Sequence, residues 1–358
     1  MSDTPLSVPE PIAIPVSLIT GFLGSGKTTL LSRLLKNPDM KDTAVVINEF
    51  GEVGLDHELV EAVEGETVVM DSGCLCCTVR GDLANALRTL YFRRARGEVP
   101  AFRRVVIETT GLADPAPVIQ ALMTFPVARK FRLAQVITTV DAVNGAATLD
   151  RHPEAVKQAA VADEIIITKM DVNPEAGDKL VSRLLALNPG ARRHHSALDH
   201  LPTPSALATV DIYDPQTKSA DVARWLNAEA HDNDNHAHGH HHHDVNRHNA
   251  EIGSFVLEFN EPLEWDHVAH WLDALVIGHG NDLLRVKGIL DIAGRDRPIV
   301  VQAVQSLFHP PFDLPAWPEG VRKSRIVFIT RNLPRAFVQE VLDTIRQRPL
   351  PRAGGAGR

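Results

Sequence analysis

"GFLGSGKTT", residues 21–29, decides how the rest of the chain is read. It fits the pattern G-x-x-x-x-G-K-[ST] at Gly21, Gly26, Lys27 and Thr28. The apolar stretch "IAIPVSLIT" precedes it and "KTTLLSRLLKN", with helical spacing, follows, so the glycines fall at a strand-to-helix turn. Such a loop curls tightly enough for the backbone N–H groups of Gly24, Ser25, Gly26, Lys27, Thr28 and Thr29 to face a nucleotide β-phosphate. Lys27 supplies charge to the β- and γ-phosphates, and Thr28 offers a hydroxyl to Mg²⁺. A glycine-rich turn without a ligand is the plain alternative. The strand before and the helix after weigh against it.

The base is read further along. "TKMD", Thr168 to Asp171, follows the apolar run "EIIIT" at the carboxyl edge where such sheets bind ligands. The Asp171 carboxylate can accept from guanine N1–H and the 2-amino group, whereas adenine presents a lone pair at N1 and is repelled. Lys169 can lie along the base and brace the phosphate loop, with Thr168 where the commoner GTPase pattern has Asn. GTP is therefore expected over ATP. "VVIETTG" puts Glu108 at the end of another apolar strand, with Gly111 three residues on. The carboxylate should reach the Mg²⁺ shell and the Gly111 N–H the γ-phosphate. Leu112 follows, where some GTPases carry the Gln that positions water, so unaided hydrolysis should be slow. Glu49 and Glu52 in "NEFGEVGLD" fall where a switch loop would lie; either could orient water or bind metal, and a solvated acidic loop is the alternative.

All three cysteines of the chain stand in four consecutive places, Cys74-Leu75-Cys76-Cys77. Three thiols cannot complete a disulfide framework, and a cytosol would keep them reduced. Adjacent α-carbons about 3.8 Å apart are closer than an unstrained disulfide normally permits. Gathered thiolates suit a soft or borderline cation such as Zn²⁺, and Co²⁺ accepts similar tetrahedral sites. The competing readings are small buried side chains packing a strand end and a redox-sensing thiol cluster.

Composition bounds the remaining possibilities. With 358 residues, 44% hydrophobic and 23% charged, the chain has globular composition and room for two domains. A net charge of −8 argues against a nucleic-acid partner. The uncharged stretch 11–26 is too short and too broken by Gly and Pro to span a bilayer, so a soluble, cytoplasmic protein is expected. A homo-oligomer is compatible with the sequence.

Six apolar runs ("IAIPVSLIT", "TAVVINE", "TVVMD", "RRVVIETT", "AQVITTVDA", "EIIITK") alternate with amphipathic stretches such as "DLANALRTLYFRRAR" and "AGDKLVSRLLALN". That alternation predicts an α/β domain over 12–212, with a mostly parallel sheet covered by helices. Residues 213–250 read as a disordered, His-rich linker: 231–248 hold eight of the 17 histidines and almost nothing apolar. Exposed imidazoles suit Zn²⁺, so a metal buffer with its sites in this linker is a second functional reading. A smaller α+β domain is predicted over 251–350, with strands at "GSFVLEFN" and near 283–292, 298–307 and 324–330, and helices at "EWDHVAHWLDALV" and "LPRAFVQEVLDTIRQ".

Taken in order, "TGFLGSGKTTLL", "NEFGEVGLD", "GCLCCTVRGDL", "ETTGLADP" and "TKMD" resemble the CobW-type metal-handling P-loop GTPases, relatives of the nickel-insertion GTPases. "LLRVKGIL", "VVQAVQ" and Trp317 before "RIVFIT" continue the resemblance nearly to the end of the chain. It implies that Cys74, Cys76 and Cys77 belong to a metal motif; Glu52, from the switch-like loop, is a further candidate ligand for Zn²⁺ or Co²⁺. It also implies GTP-dependent delivery of Zn²⁺ or Co²⁺ to a metal-requiring client protein, with cobalt insertion during cobalamin synthesis as one variant. On this reading Lys27, Glu108 and Glu49 carry hydrolysis, and Thr28 and Glu108 hold Mg²⁺.

Overall fold

The computed structural model describes residues 13–48, 68–71, 79–174, 176–195, 252–317 and 322–347. Glu49, Glu52, the three cysteines and the stretch 213–250 lie outside the described residues.

Seven strands form the first sheet: β1 (Ile14–Gly21), β2 (Thr43–Asn48), β3 (Val68–Asp71), β4 (Arg104–Thr109), β5 (Phe131–Asp141), β6 (Glu164–Thr168) and β7 (Arg192–His195). Their order is β3-β2-β4-β1-β5-β6-β7, and every neighbouring pair is parallel. Parallel strands need crossovers, and here helices supply them on both faces. Ile19, Val45 and Val106 face α1 (Lys27–Leu35), which answers with Leu30, Leu31 and Leu34. Val16, Leu18 and Ile107 face the other way, toward α2 (Val79–Ala95) and α3 (Ala116–Met123). On α2 the contacts come from Leu83, Leu87 and Leu90, spaced to lie on one helical face. Each leucine taken fully out of water contributes about 1.5–3 kcal/mol. Three further helices, α4 (Gly145–Arg151), α5 (Pro153–Ala160) and α6 (Ala176–Leu187), pack around the β5 and β6 side.

Strand β7 was not among the six apolar runs. Its sequence, "RRHH", carries no apolar signal because the strand, among the described residues, pairs with β6 alone and stays half-buried. Its charges are used locally: Arg192 and His194 both engage the buried Glu164 carboxylate.

The second sheet is antiparallel. It contains β8 (Ile252–Phe259), β9 (Leu283–Leu290), β10 (Ile299–Val304), β11 (Leu307–Phe308), β12 (Phe312–Asp313) and β13 (Ser324–Arg331), in the order β11-β10-β9-β13-β8 with β12 on β10. Helices α7 (Trp265–His279) and α8 (Arg335–Arg346) cover one face. Trp271 is fully buried there, and its Nε1–H donates to Val338 O at 2.9 Å, so the polar edge of the indole is satisfied. The other face meets the first unit. Arg285 and Lys287 of β9 converge on the buried Asp163, just ahead of β6, and Arg285 also donates to Val161 O.

Candidate functional site

Because the first sheet is parallel, the carboxyl ends of β1, β4, β5 and β6 share one edge, and the segments after them meet there. The loop after β1 closes through side-chain hydroxyls. Ser25 Oγ lies 2.6 Å from Thr139 Oγ1 at the end of β5, and Thr168 Oγ1 donates to Ser25 O at 2.7 Å. Thr168 thus fastens the phosphate loop to the end of β6 with a hydroxyl. Gly21 is required by space as well as by conformation. It has φ +143°, and a Cβ there would stand 2.3 Å from Thr139 Oγ1. Gly24 and Gly26 also take positive φ, and Gly26 precedes the first turn of α1, leaving that helix's N–H groups open toward a phosphate.

Lys27 is buried, and its Nζ donates to Phe22 O at 3.3 Å, folding back across the loop. Thr28 Oγ1 donates to Glu108 Oε1 at 2.7 Å, joining the first turn of α1 to the end of β4. One hydroxyl and one carboxylate, side by side at the phosphate loop, are the hard oxygen donors that Mg²⁺ takes together with water and phosphate oxygens. Thr29 is exposed in the same turn. Gly111, three residues past Glu108, lies against the phosphate loop so closely that a Cβ would meet Leu23 N at 2.6 Å. A side chain at 111 would push the two loops apart.

Lys169 takes φ +57° directly after β6, and its Nζ binds Asp141 Oδ2 at 2.7 Å. Asp171, two residues on, is exposed at the same edge. Asp141 was not singled out in the sequence, although it ends β5 within the apolar run "AQVITTVDA", on the edge where such sheets bind ligands, which was the available signal. Its carboxylate also accepts from the backbone N–H of Val143 and Asn144. Burial pushes its pKa up, but the Lys169 ammonium and these N–H donors outweigh that and hold it below the usual carboxylate range. A cavity of about 230 Å³ opens beside the loop, lined among others by Phe22, Ser25, Asp141, Asn144 and Lys169.

Gln158 was also missed. Fully buried on α5, it donates through its side-chain amide to Gly111 O at 3.2 Å and Ala113 O at 3.0 Å. Lys157 adds an ion pair to Asp114 at 2.7 Å. The segment after β4 is therefore held by α5, whose sequence "PEAVKQAA" shows nothing of that role.

The profile of the CobW/HypB/UreG nucleotide-binding domain matches residues 15–195, and that of the cobalamin synthesis protein CobW C-terminal domain matches residues 252–346. The chain belongs to the CobW family of P-loop GTPases. Among CobW-family relatives, the zinc chaperone YjiA of Escherichia coli is 32% identical over 338 residues, covering 93% of this chain and 99% of its own. The zinc chaperone CobW of Pseudomonas aeruginosa is 33% identical over 350 residues, covering 92% and 91%. The crystal structure of Zn(II)-bound YjiA GTPase superposes with a TM-score of 0.70 at 27% identity, over 94% of this chain and 99% of that one. A second YjiA structure, a Zn(II)-bound triple mutant with one glutamate and two cysteines replaced by alanine, gives the same TM-score at 27% identity, over 93% and 99%.

Proposed function

We propose that this CobW-family GTPase is a metallochaperone. It binds Zn²⁺, or Co²⁺, at Cys74, Cys76 and Cys77 in a nucleotide-dependent way and passes it to a metal-requiring client protein. One observation carries the reading. Strand β3 runs parallel to β2 and ends at Asp71 on the phosphate edge, three residues before Cys74, and α2 begins two residues after Cys77. With strands about 4.8 Å apart, β3 lies three steps, or about 14 Å, from β1 and its phosphate loop. The names of the relatives support zinc as the cargo.

In the proposed cycle Asp171 reads guanine, while Thr168 and Lys169 brace the loop against the base. Lys27 and the loop N–H groups neutralise charge on the β- and γ-phosphates. Thr28 and Glu108 would hold Mg²⁺, which supplies further charge neutralisation at the phosphates when bound. The Gly111 N–H anchors the γ-phosphate, and Glu49 orients the attacking water. With GTP in place the loops carrying Glu49 and Glu52 draw together with the thiols; loss of the γ-phosphate releases both. Leu112 leaves that side without a water-positioning amide, so turnover is slow.

The triple mutant adds a constraint. Counting back from Cys76 by the interval that separates the replaced glutamate from the first replaced cysteine leads here to Ile47, buried at the end of β2. On that count a carboxylate ligand in this chain must come from another position, and Glu52 is the candidate. That relative is Zn(II)-bound with its cysteine pair replaced, which favours a second binding mode. The histidines of 231–248 are the donors to test for it.

Titration of Zn²⁺ against a chelating dye tests the proposal, with the protein loaded with GDP or with a non-hydrolysable GTP analogue. A difference of about 5–150-fold in affinity is expected, abolished when Cys76 and Cys77 are changed to Ser. Equal affinities in the two states would remove the switch. Zinc binding lost with the histidines and kept without the thiols would make the chain a buffer.

A further inference from the structure

The C-terminal half of α2 and the turn ahead of β5 enclose another cavity, about 420 Å³, at the sheet edge opposite the phosphates. Its walls are Tyr91 and Phe92 from α2, and Phe125 and Phe131 from the other side. Aromatic residues make up only 5% of the chain, yet four gather here. Phe131 is buried as the floor, whereas Phe125 is 72% exposed and Phe92 52%. Single exposed phenylalanines need no explanation, but two flanking one apolar cavity mark a contact surface.

The charges around it have one sign. Arg88 stands on the helical wall, Arg129 and Lys130 on the opposite one, and among the described residues no carboxylate lines the cavity. Lys130 Nζ sits 5.0 Å from the centre of the Tyr91 ring. Arg88 and Arg129 are exposed and have no carboxylate partner among the described residues. On a chain of net charge −8, an apolar cavity between cationic walls is a local reversal.

We propose that this cavity docks a short acidic segment of a partner protein. An aromatic or leucine side chain enters between Phe92 and Phe125, and carboxylates on either side meet Arg88 on one wall and Arg129 and Lys130 on the other. Such an anchor with a charged rim is how compact protein contacts gain affinity and selectivity. A nucleic acid fits less well: three cations on an acidic chain neutralise few phosphates, and an enclosed apolar floor suits a side chain better than a stacked strand. Helix α2 starts two residues after Cys77, so its cavity residues Arg88, Tyr91 and Phe92 follow the last thiol by only 11–15 positions in sequence. The inference goes beyond the metal-delivery reading and does not depend on it, since binding is read without metal or nucleotide.

The test uses the full chain and fluorescence anisotropy of a labelled decapeptide in which glutamates flank a phenylalanine. The acidic peptide should bind at least tenfold more tightly than the same peptide with lysines for glutamates or serine for phenylalanine, and added salt should weaken it. Phe125→Ser should abolish binding without changing the melting temperature, because the ring is exposed. Arg129→Glu should narrow the gap between the acidic and lysine peptides. Equal binding of all three peptides, or unchanged binding by both variants, overturns the proposal. So does tighter binding of a single-stranded oligonucleotide, or a dimer that Phe125→Ser converts to monomer in light scattering. The chain enters β1 beside this cavity, where Ile14 N–H donates to Lys130 O. Peptide binding seen only after removal of residues 1–12 would assign the surface to the chain's own N-terminus and overturn it equally.

Discussion

Two regions of the molecule bury polar groups, and they satisfy them in opposite ways. At the seam between the sheets the Asp163 carboxylate is closed on all sides: it accepts from Val136 N–H, from Lys287 Nζ at 2.8 Å and from the Arg285 guanidinium. At the phosphate loop the cations rest on provisional partners. Lys27 reaches a neutral carbonyl at 3.3 Å, and Lys169 lies on Asp141 at the rim of a cavity. A closed network fixes how two units sit together. One with donors turned along an open loop is arranged for a ligand that brings its own charge. Helix α5 joins the two, with Gln158 on the loop side and Val161 O, just past its end, on Arg285.

The largest effect should fall on the seam. Asp163→Ala leaves Arg285 and Lys287 buried without their carboxylate, and breaking such a pair costs about 3–5 kcal/mol. Denaturant melts should show that loss while the residual folded protein still binds GTP. The pH dependence has a definite sign. Burial raises the Asp163 pKa, but Arg285 and Lys287 outweigh it and hold the group well below the usual carboxylate range. A depressed folded pKa gives stability that is complete above the unfolded value, about 4, and fades as the pH falls below it. The gap between wild type and variant should therefore narrow under acid. A constant gap down to about pH 2 would mean that packing, not charge, holds the seam.

Lys27→Ala should have the second-largest effect and the opposite character. Hydrolysis should fall by about 10²–10³-fold, the usual consequence of removing one group that stabilises charge on the transferring phosphoryl. Stability should change less than at the seam, because alanine removes the ammonium outright and keeps the helix-forming propensity of the first turn of α1. Phosphate release at saturating GTP measures the first and thermal melting the second. A large drop in melting temperature with intact turnover would erase the contrast between the two regions.

Much of the phosphate edge was legible because each part is local. Strand, glycines, Lys27 and Thr28 adjoin in sequence, and "TKMD" follows its own strand. Strands β1, β2, β4, β5 and β6 were visible as unbroken apolar runs because they are buried on both faces. The short β7 was not, since an edge strand of Arg and His has no hydrophobic period to display. The seam was invisible for another reason. Asp163 and Arg285 are 122 positions apart, and a buried aspartate looks like a surface one until its partner is placed. Asp141 and Gln158 fall between these cases: each sits on a readable element, but its role depends on which loop the topology brings to it.

The smallest effect is expected at the link between the regions, and Gln158→Leu isolates it. The substitution keeps most of the volume and removes two donors, leaving Gly111 O and Ala113 O without them. At about 0.5–1.5 kcal/mol for each hydrogen bond, the loss is small against the total stability of a two-sheet protein. It is large for a loop that, in the proposed cycle, brings the Gly111 N–H to a γ-phosphate. Gln158 is a positioning residue on this account, acting through Gly111. Titration calorimetry should find GDP affinity unchanged and affinity for a non-hydrolysable GTP analogue lowered by about tenfold, equivalent to about 1.4 kcal/mol. Hydrogen exchange supplies the second reading. In the wild type, exchange in β9 should respond to the γ-phosphate, because α5 carries the loop's position to Val161 and Arg285; in Gln158→Leu that response should vanish. If both nucleotides weakened alike, the glutamine would only be filling the core. The two regions would then share a helix without sharing a signal.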